Sequence, residues 1–341
     1  MNRTLFGALA ALSLITPVFA QEEPQGAPSP GEIVAEAAAG DWVPIPSENV
    51  LVMTLAPDVD GAARQVVIQL MPPPFSQGWV ENIRTFARAG WYDNISVNRV
   101  QDNYVVQWGD PNYDNPEAKG KPKPLPQGLK VMTEECFAVS QVPTQCNPSR
   151  FDPMEGLSAV AEDLDDDVAN GRDPYAVWTF HWSGWQLAMS QRSNDREWEA
   201  WPTHCYGMVG VGRNYSPDTG SGAELYTVIG HAPRHLDRNI ALVGRVIEGM
   251  EHFSSLPRGK GELGFYAADE IDKRTPILSV RVATDLPAAQ QPGFEYLSTE
   301  SETFAEYADA RANRRDPFFI VPAGGADICN IPVPVRRAAA D

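Results

Sequence analysis

The sequence predicts a mainly β protein whose core is a closed antiparallel barrel with two helices that cover its ends. Short runs of β-branched and aromatic residues recur along the chain, and only two helices are predicted among the strands of the core. Thirty prolines and 27 glycines further indicate many turns rather than long helices. A long insert and a C-terminal extension, both expected to be irregular, are predicted to accompany the barrel.

The first half of the chain supplies a hairpin, a helix and a second pair of strands. Residues 50–55 and 66–70 are predicted strands joined by a turn. Ser76 is the expected N-cap of the helix and Gly90 the residue that stops it. Its apolar stripe comprises Trp79, Val80, Ile83, Phe86 and Ala87. The strand pair that follows covers 95–100 and 104–108.

The second half returns to sheet after a proline-rich loop at 111–130. A helix is predicted for 248–256, and another for 300–313 in the C-terminal extension. The predicted strands are 175–180, 206–212, 225–230, 240–246 and 277–283.

The chain begins with the features of a secretory signal peptide at residues 1–20. A basic start, Asn2-Arg3, precedes an apolar run that ends in small residues. A retained membrane anchor is the alternative, but the run is shorter than the ~20 residues that span a bilayer. We therefore expect a periplasmic or secreted protein with no membrane insertion after cleavage.

Composition divides the remainder of the chain. Residues 21–41 are predicted as a flexible linker, 42–285 as the barrel domain with its insert at about 116–200, and 286–341 as the extension. The net charge of −18 argues against nucleic acid and against anionic membrane surfaces as partners. We expect a monomer.

An even number of cysteines in an exported chain indicates two disulfides. Three pairings are possible; Cys136 with Cys146 is the local choice and leaves Cys205 to tie down the C-terminal tail through Cys329. Free buried thiols are the alternative. No C-x-x-C pair and no ligand spacing among the five histidines occurs, so we expect no metal and no cofactor. The acidic run at 162–167 is predicted as a solvated face, because an EF-hand's glycine and glutamate are missing.

Five short segments carry a family resemblance when they are taken together and in order. They are VNRV at 97–100, YVVQWGD at 104–110, GMVGVG at 207–212, LDRN at 236–239 and VGRVIEGM at 243–250. These segments resemble the cyclophilins, which are peptidyl-prolyl cis-trans isomerases. The resemblance covers about residues 48–115 and 203–284 and implies the family's barrel and proline-containing polypeptide substrates.

The resemblance implies that Arg99 is the catalytic residue, with Gln107 holding the arginine or a substrate carbonyl. Rotation about X–Pro faces a barrier of about 18–20 kcal/mol because resonance gives the C–N bond double-bond character. An arginine that donates to the prolyl nitrogen as it pyramidalises would draw the lone pair out of conjugation. Without the flanking matches, Arg99 would be interpreted as a surface side chain.

The substrate pocket is also implied by position. The apolar walls correspond to Tyr104, Val105, Tyr226 and Leu236, with Ile240 beside them, and the Gly212-Arg213 backbone is expected to pair with an extended peptide. Several pocket residues depart from the family: tyrosines 104 and 226 stand where phenylalanine is usual, and Glu224 stands where glutamine is usual. Arg213, His235 and Ile240 also differ from the residues that are usual at these positions in the family. Each tyrosine adds a hydroxyl that needs a partner, and Glu224 brings a carboxylate near Arg99.

Two function classes follow from these residues. The first is an exported prolyl isomerase that assists protein folding, favoured by Arg99 with Gln107. The second is a binding or chaperone module that captures proline-containing segments without turnover, favoured by the tyrosines, Glu224 and the insert. Isomerase rates distinguish the two.

Overall fold

The computed structural model describes residues 26–113, 116, 118–147, 151, 173–192 and 197–339. The predicted signal peptide and the acidic run at 162–167 lie outside the described residues. In the described ranges no helix is both long and apolar enough to cross a bilayer.

Eight strands form the core of the fold: β2 Val50–Leu55, β3 Arg64–Leu70, β4 Ile95–Val100, β5 Val105–Gly109, β10 Met208–Val211, β11 Leu225–Val228, β12 Leu242–Glu248 and β13 Pro276–Val282. They close into an antiparallel barrel in the order β10-β11-β5-β4-β13-β2-β3-β12. The predicted hairpin is β2 with β3, in a register that places Leu51 opposite Ile68. The fold class is therefore confirmed, and each predicted barrel strand is found with its ends shifted by two residues at most.

Helix α2, Gln77–Arg88, covers one end of the barrel and buries the whole predicted apolar stripe. Gly90 ends it as predicted, with a φ of 62° that a side chain would disfavour. Ser76 is the N-cap residue, as predicted, but it adopts a left-handed conformation and makes no side-chain capping hydrogen bond. The second helix, α3 Glu251–Ser254, is shorter than predicted because β12 extends through Glu248.

The insert differs from the irregular structure that was predicted. Its described part forms an antiparallel sheet in the order β6-β9-β8-β7, with β6 Val139–Ser140, β7 Trp178–Trp182, β8 Trp185–Gln191 and β9 Trp198–Pro202. The sheet is ordered because its inward residues Phe180, Leu187 and Met189 join the barrel's own hydrophobic cluster. The predicted strand at 175–180 begins later, at Trp178, since Tyr175 and Val177 are exposed.

Both disulfides form in the pairing that the local choice implied. Cys136 bonds to Cys146 within the insert, and Cys205 bonds to Cys329 of the tail, with Cα–Cα distances of 5.3 and 5.0 Å. The second bond joins the end of the insert to a segment 124 residues further along the chain.

The two ends of the described chain pack together against the barrel. β1 Trp42–Pro44 forms a three-stranded sheet with β14 Phe294–Leu297 and β15 Val335–Arg337. Helix α1, Pro30–Glu36, contacts α4, Glu302–Ala312, the predicted C-terminal helix. Residues 30–36 were predicted as linker; they fold instead because Ser29 and Glu32 form a capping box and Ile33 is buried in this second cluster.

Candidate active site

A cavity of about 560 Å³ opens on the barrel wall where β4, β5, β10 and β11 meet the loops that follow β11 and α3. Its lining includes all ten predicted catalytic and substrate-binding residues: Arg99, Tyr104, Val105, Gln107, Gly212, Arg213, Glu224, Tyr226, Leu236 and Ile240. Sequence reasoning missed four lining residues, Pro116, Ala118, Leu263 and Phe265. The structure thus brings the predicted residues together, while their roles stay predictions.

A β-bulge aims Arg99 into the cavity. The register between β4 and β5 shifts between Val97 and Arg99, which places Arg99 directly opposite Gln107. The extra residue, Asn98, is buried and satisfied: it accepts from the Ser96 hydroxyl at 2.7 Å and donates to the Gly109 carbonyl at 3.1 Å. Bulges re-aim side chains in this way without breaking the sheet.

The Arg99 guanidinium is held by three acceptors. Nε donates to the Leu263 carbonyl at 2.6 Å, Nη1 donates to Gln107 Oε1 at 3.1 Å, and Nη2 donates to Gln101 Oε1. These bonds engage three of the five N–H groups of an arginine. Burial lowers the pKa of Arg99 from its ordinary value, yet arginine remains a cation at neutral pH. The group is therefore fixed, charged and retains donor capacity.

Aromatic rings flank the guanidinium on two sides. The Arg99 Cζ atom lies 5.7 Å from the centre of the Tyr104 ring and 5.6 Å from the centre of the Phe265 ring. Phe265 reaches this position because its backbone forms an isolated bridge with Arg99. No sequence signal marks this contact, since residues 263–265 lie in a loop without a motif.

Gln107 stands between Arg99 and Glu224. Its Oε1 accepts from Arg99, and its Nε2 donates to Glu224 Oε2 at 3.3 Å. Glu224 is buried and fits there because residue 109 is glycine: a Cβ at that position would lie 2.0 Å from Glu224 Oε1. The Glu224 carboxylate, which was predicted to lie near Arg99, is thus connected to Arg99 through the Gln107 amide, which hydrogen-bonds to both.

Apolar and aromatic groups form the part of the cavity next to Arg99. Val105, Tyr226 and Val228 make a buried cluster against which Tyr104 and Ile240 pack. Tyr104 also stacks on His235, with ring centres 6.4 Å apart and an interplanar angle of 6°. Burial raises the pKa of Tyr104, so its phenol stays protonated at neutral pH.

The hydroxyl of Tyr226 has a partner that sequence reasoning did not name. It lies 2.8 Å from Nε2 of His204, and His204 Nδ1 lies 2.8 Å from Asp237 Oδ1. Burial raises the pKa of Tyr226 well above its ordinary value, which keeps this hydroxyl protonated. A tyrosine at position 226 predicted that its hydroxyl would need a hydrogen-bond partner, but no local sequence motif identifies His204 as that partner.

The backbone expected to pair with a peptide is partly engaged already. The Gly212 N–H donates to the Glu224 carbonyl at 2.8 Å. The Arg213 side chain turns toward its own loop and donates to the carbonyls of Asn239 and Asn214. Gly212 N–H cannot serve the predicted pairing without breaking its bond to Glu224.

The sequence predicted no metal and no cofactor. Within the described ranges, no three histidine, cysteine, aspartate or glutamate side chains gather as metal ligands. The groups that line the cavity include a fixed cation, an amide, a carboxylate and an apolar surface.

A family model described as cyclophilin type peptidyl-prolyl cis-trans isomerase/CLD matches residues 65–282. The chain belongs to the cyclophilin family. The matched range contains every residue named above as lining the cavity. This cyclophilin has no match among the curated proteins searched.

Solved cyclophilin structures resemble this cyclophilin at low sequence identity. Cyclophilin AquaCyp293 from Hirschia baltica is 19% identical, with a TM-score of 0.60, over 91% of this chain and 98% of that one. This likeness is one of fold. A Cryptosporidium parvum cyclophilin type peptidyl-prolyl cis-trans isomerase is 11% identical, with a TM-score of 0.36, over 69% of this chain and 96% of that one. The structure of the same protein in the presence of the dipeptide Ala-Pro is also 11% identical, with a TM-score of 0.34, over 68% of this chain and 97% of that one.

Proposed function

We propose that this cyclophilin catalyses rotation about X–Pro bonds in exported proteins as they fold, with Arg99 as the donor to the prolyl nitrogen. The single observation that carries the proposal is a fixed guanidinium at the edge of an apolar hollow. Arg99 is held by Leu263, Gln101 and Gln107, and the Tyr104 ring lies beside it.

The mechanism needs no covalent step. A proline ring enters the hollow beside Tyr104, Val105 and Tyr226. As the C–N bond twists, the prolyl nitrogen becomes pyramidal, and its lone pair, no longer delocalised into the carbonyl, can accept a hydrogen bond. The N–H groups of Arg99 not engaged by Leu263, Gln101 and Gln107 supply that bond. Because the cation is already in place, the twisted state is stabilised more than the planar states.

The exported setting is supported by the sequence and by the disulfides. Two disulfides are typical of proteins that fold in an oxidising compartment. Together with the signal-peptide pattern at residues 1–20, they favour the periplasm or the cell exterior as the place of action.

A second function is favoured by three polar groups on residues that line the otherwise apolar hollow, the Tyr104 and Tyr226 hydroxyls and the Glu224 carboxylate. Two hydroxyls and a carboxylate replace apolar or neutral groups, which disfavours an ordinary proline ring and favours capture of a selected proline-containing segment without turnover. Exchange NMR on an Ala-Pro peptide distinguishes the two functions. An isomerase at catalytic concentration produces cis–trans exchange peaks that are absent without protein. A binding module shifts the peptide resonances and leaves the exchange rate unchanged, which would contradict the proposal.

A further inference from the structure

Five buried side chains form a continuous chain of hydrogen bonds from the insert to the floor of the cavity. In order they are Asp173, Arg234, Asp237, His204 and Tyr226. Arg234 donates to Asp173 Oδ2 at 2.7 Å and to Asp237 Oδ2 at 2.6 Å. Asp237 Oδ1 lies 2.8 Å from His204 Nδ1, and His204 Nε2 lies 2.8 Å from the Tyr226 hydroxyl.

The bonding order of this chain is fixed by its chemistry. A carboxylate only accepts, so the hydrogen on His204 Nδ1 points to Asp237. His204 Nε2 and the Tyr226 hydroxyl are hydrogen-bonded to each other at 2.8 Å, and the hydroxyl is the donor whenever the ring is neutral. Burial alone raises the pKa of Asp237, but its bond to His204 and the charge of Arg234 hold that pKa below its ordinary value. Asp237 is thus a carboxylate that joins the arginine to the histidine.

Two members of this hydrogen-bond chain, Tyr226 and Arg234, bear on the cavity. Tyr226 lines it directly, and a Cβ on Gly210 would lie 2.3 Å from the Tyr226 hydroxyl, so the ring tip has little freedom. Arg234 shares a 3₁₀ turn, Arg234–Leu236, with the cavity residue Leu236. A shift of Arg234 therefore moves one wall of the hollow, and a shift of His204 moves another.

The outer end is anchored in the insert rather than in the barrel. Asp173 accepts from two nitrogens of Arg234, and the Tyr175 ring lies 5.4 Å from the same guanidinium. At the inner end, His204 is 0% exposed and precedes Cys205, which the disulfide to Cys329 holds in place.

We propose that the insert sets the shape of the proline-binding hollow through this buried chain, with His204 as the residue that positions Tyr226. The inference rests on the proposed function, because it concerns control of the same cavity. Buried polar networks respond as a unit, since a group that loses its partner inside a protein is costly. Without the Asp173 carboxylate, Arg234 keeps only one of its two anionic partners, Asp237. The Arg234–Leu236 turn is then less firmly held and can shift.

The test variant is Asp173→Asn, which keeps the side-chain shape and removes the charge. The matched control is Glu135→Gln, an exposed carboxylate of the same insert. One readout is the Cζ resonance of Tyr226 in protein labelled at tyrosine, assigned by its loss in Tyr226→Phe. The other is kcat and KM for an Ala-Pro peptide. We expect Asp173→Asn to move the resonance and to change kcat/KM about three- to tenfold, mainly through KM. Glu135→Gln changes neither.

The two readouts separate this inference from the proposed function. If the wild-type protein has no isomerase activity, the proposed function is refuted. The Tyr226 resonance then still tests whether the hydrogen-bonded side chains connect the insert to the cavity. An unmoved Tyr226 resonance in Asp173→Asn overturns the inference, whatever the wild-type rate. Equal KM values for Asp173→Asn and an active wild type overturn it as well. A double-mutant cycle of Asp173→Asn with Tyr226→Phe gives a non-zero coupling if the hydroxyl carries the effect, and additivity contradicts it.

Discussion

Gln107 donates through Nε2 to Glu224, and this contact determines which end of the Gln107 amide faces Arg99. A carboxylate has no hydrogen to give, so only the NH₂ end of the amide can turn toward Glu224. The carbonyl oxygen is then left for the guanidinium. A glutamine at position 224 could pair with either end of the Gln107 amide, because it has both a donor and an acceptor. The substitution that departs from the family therefore has a physical role: it orients the residue that holds the catalytic candidate.

Replacing Glu224 by Gln is expected to loosen Arg99. The Gln107 amide gains a second orientation, in which its NH₂ group faces the guanidinium. We expect kcat/KM for an Ala-Pro peptide to fall about fivefold, the equivalent of one hydrogen bond. Glu251→Gln, on the exposed surface of α3, is the control. A rate for Glu224→Gln equal to or above wild type would show that the carboxylate has no orienting role.

Gly210→Ala is expected to displace Tyr226. The new Cβ would lie 2.3 Å from Cζ and the hydroxyl of that tyrosine, so the ring has to move into the cavity. We expect the free energy of unfolding to fall by about 1–3 kcal/mol and KM to rise. Gly40→Ala is the control, because a Cβ there meets no atom within 4 Å. Urea unfolding and peptide kinetics measure the two effects; wild-type values for both would rule out the clash.

Stability is expected to depend on pH through His181. This side chain is partly buried and donates through Nε2 to the Ile331 carbonyl at 2.9 Å, and the loss of hydration lowers its pKa from 6.5 to about 4. Between pH 6.5 and 4 the unfolded chain therefore binds a proton that the folded chain does not, and stability falls as the pH falls. The loss across this window is about 3 kcal/mol.

Urea unfolding at pH 7.5 and pH 4.5 measures the effect of His181. His181→Gln keeps a donor for Ile331 and should flatten the pH dependence, whereas His231→Gln, at an exposed position, should not. Identical pH profiles for wild type and His181→Gln would refute the assignment.

The two disulfides should differ in their contribution to stability. Cys205 and Cys329 are 124 residues apart, whereas Cys136 and Cys146 are 10 apart. Chain-entropy arithmetic gives about 5 kcal/mol for the long loop and about 3 kcal/mol for the short one. We expect the double variant C205A/C329A to lose more unfolding free energy than C136A/C146A. The reverse order in urea unfolding would mean that native-state contacts, and not loop closure, dominate.

The barrel could be predicted because alternating β-branched runs mark its strands locally. The cavity residues were implied by the resemblance of VNRV, YVVQWGD and the later segments to the cyclophilins. The bulge that sets Arg99 opposite Gln107 was not predicted. The departures at Tyr226 and Glu224 correctly raised the question of how their polar atoms are satisfied. The answers, His204 and Gln107, depend on contacts between residues distant in sequence, which no local pattern encodes.

The insert and the chain ends were harder for a related reason. The β-sheet of the insert is stabilised by packing of Phe180 and Leu187 on the barrel, a tertiary contact that overrides its turn-rich composition. Residues 30–36 resemble a linker in composition, but the capping box of Ser29 and Glu32 and the burial of Ile33 make them a helix. Ser76 occupies the predicted N-cap position, but its backbone is left-handed, with a φ of 54°, and its side chain makes no capping hydrogen bond.

The most direct test of the whole account is a protease-coupled isomerisation assay on wild type, Arg99→Lys and Arg99→Ala. We expect wild type to accelerate cis–trans exchange of an Ala-Pro peptide and Arg99→Ala to lose at least about a hundredfold in kcat/KM, because the preorganised donor is gone. Arg99→Lys keeps the charge without the planar fork and should fall between them. Equal rates for wild type and a folded Arg99→Ala protein would contradict the central claim.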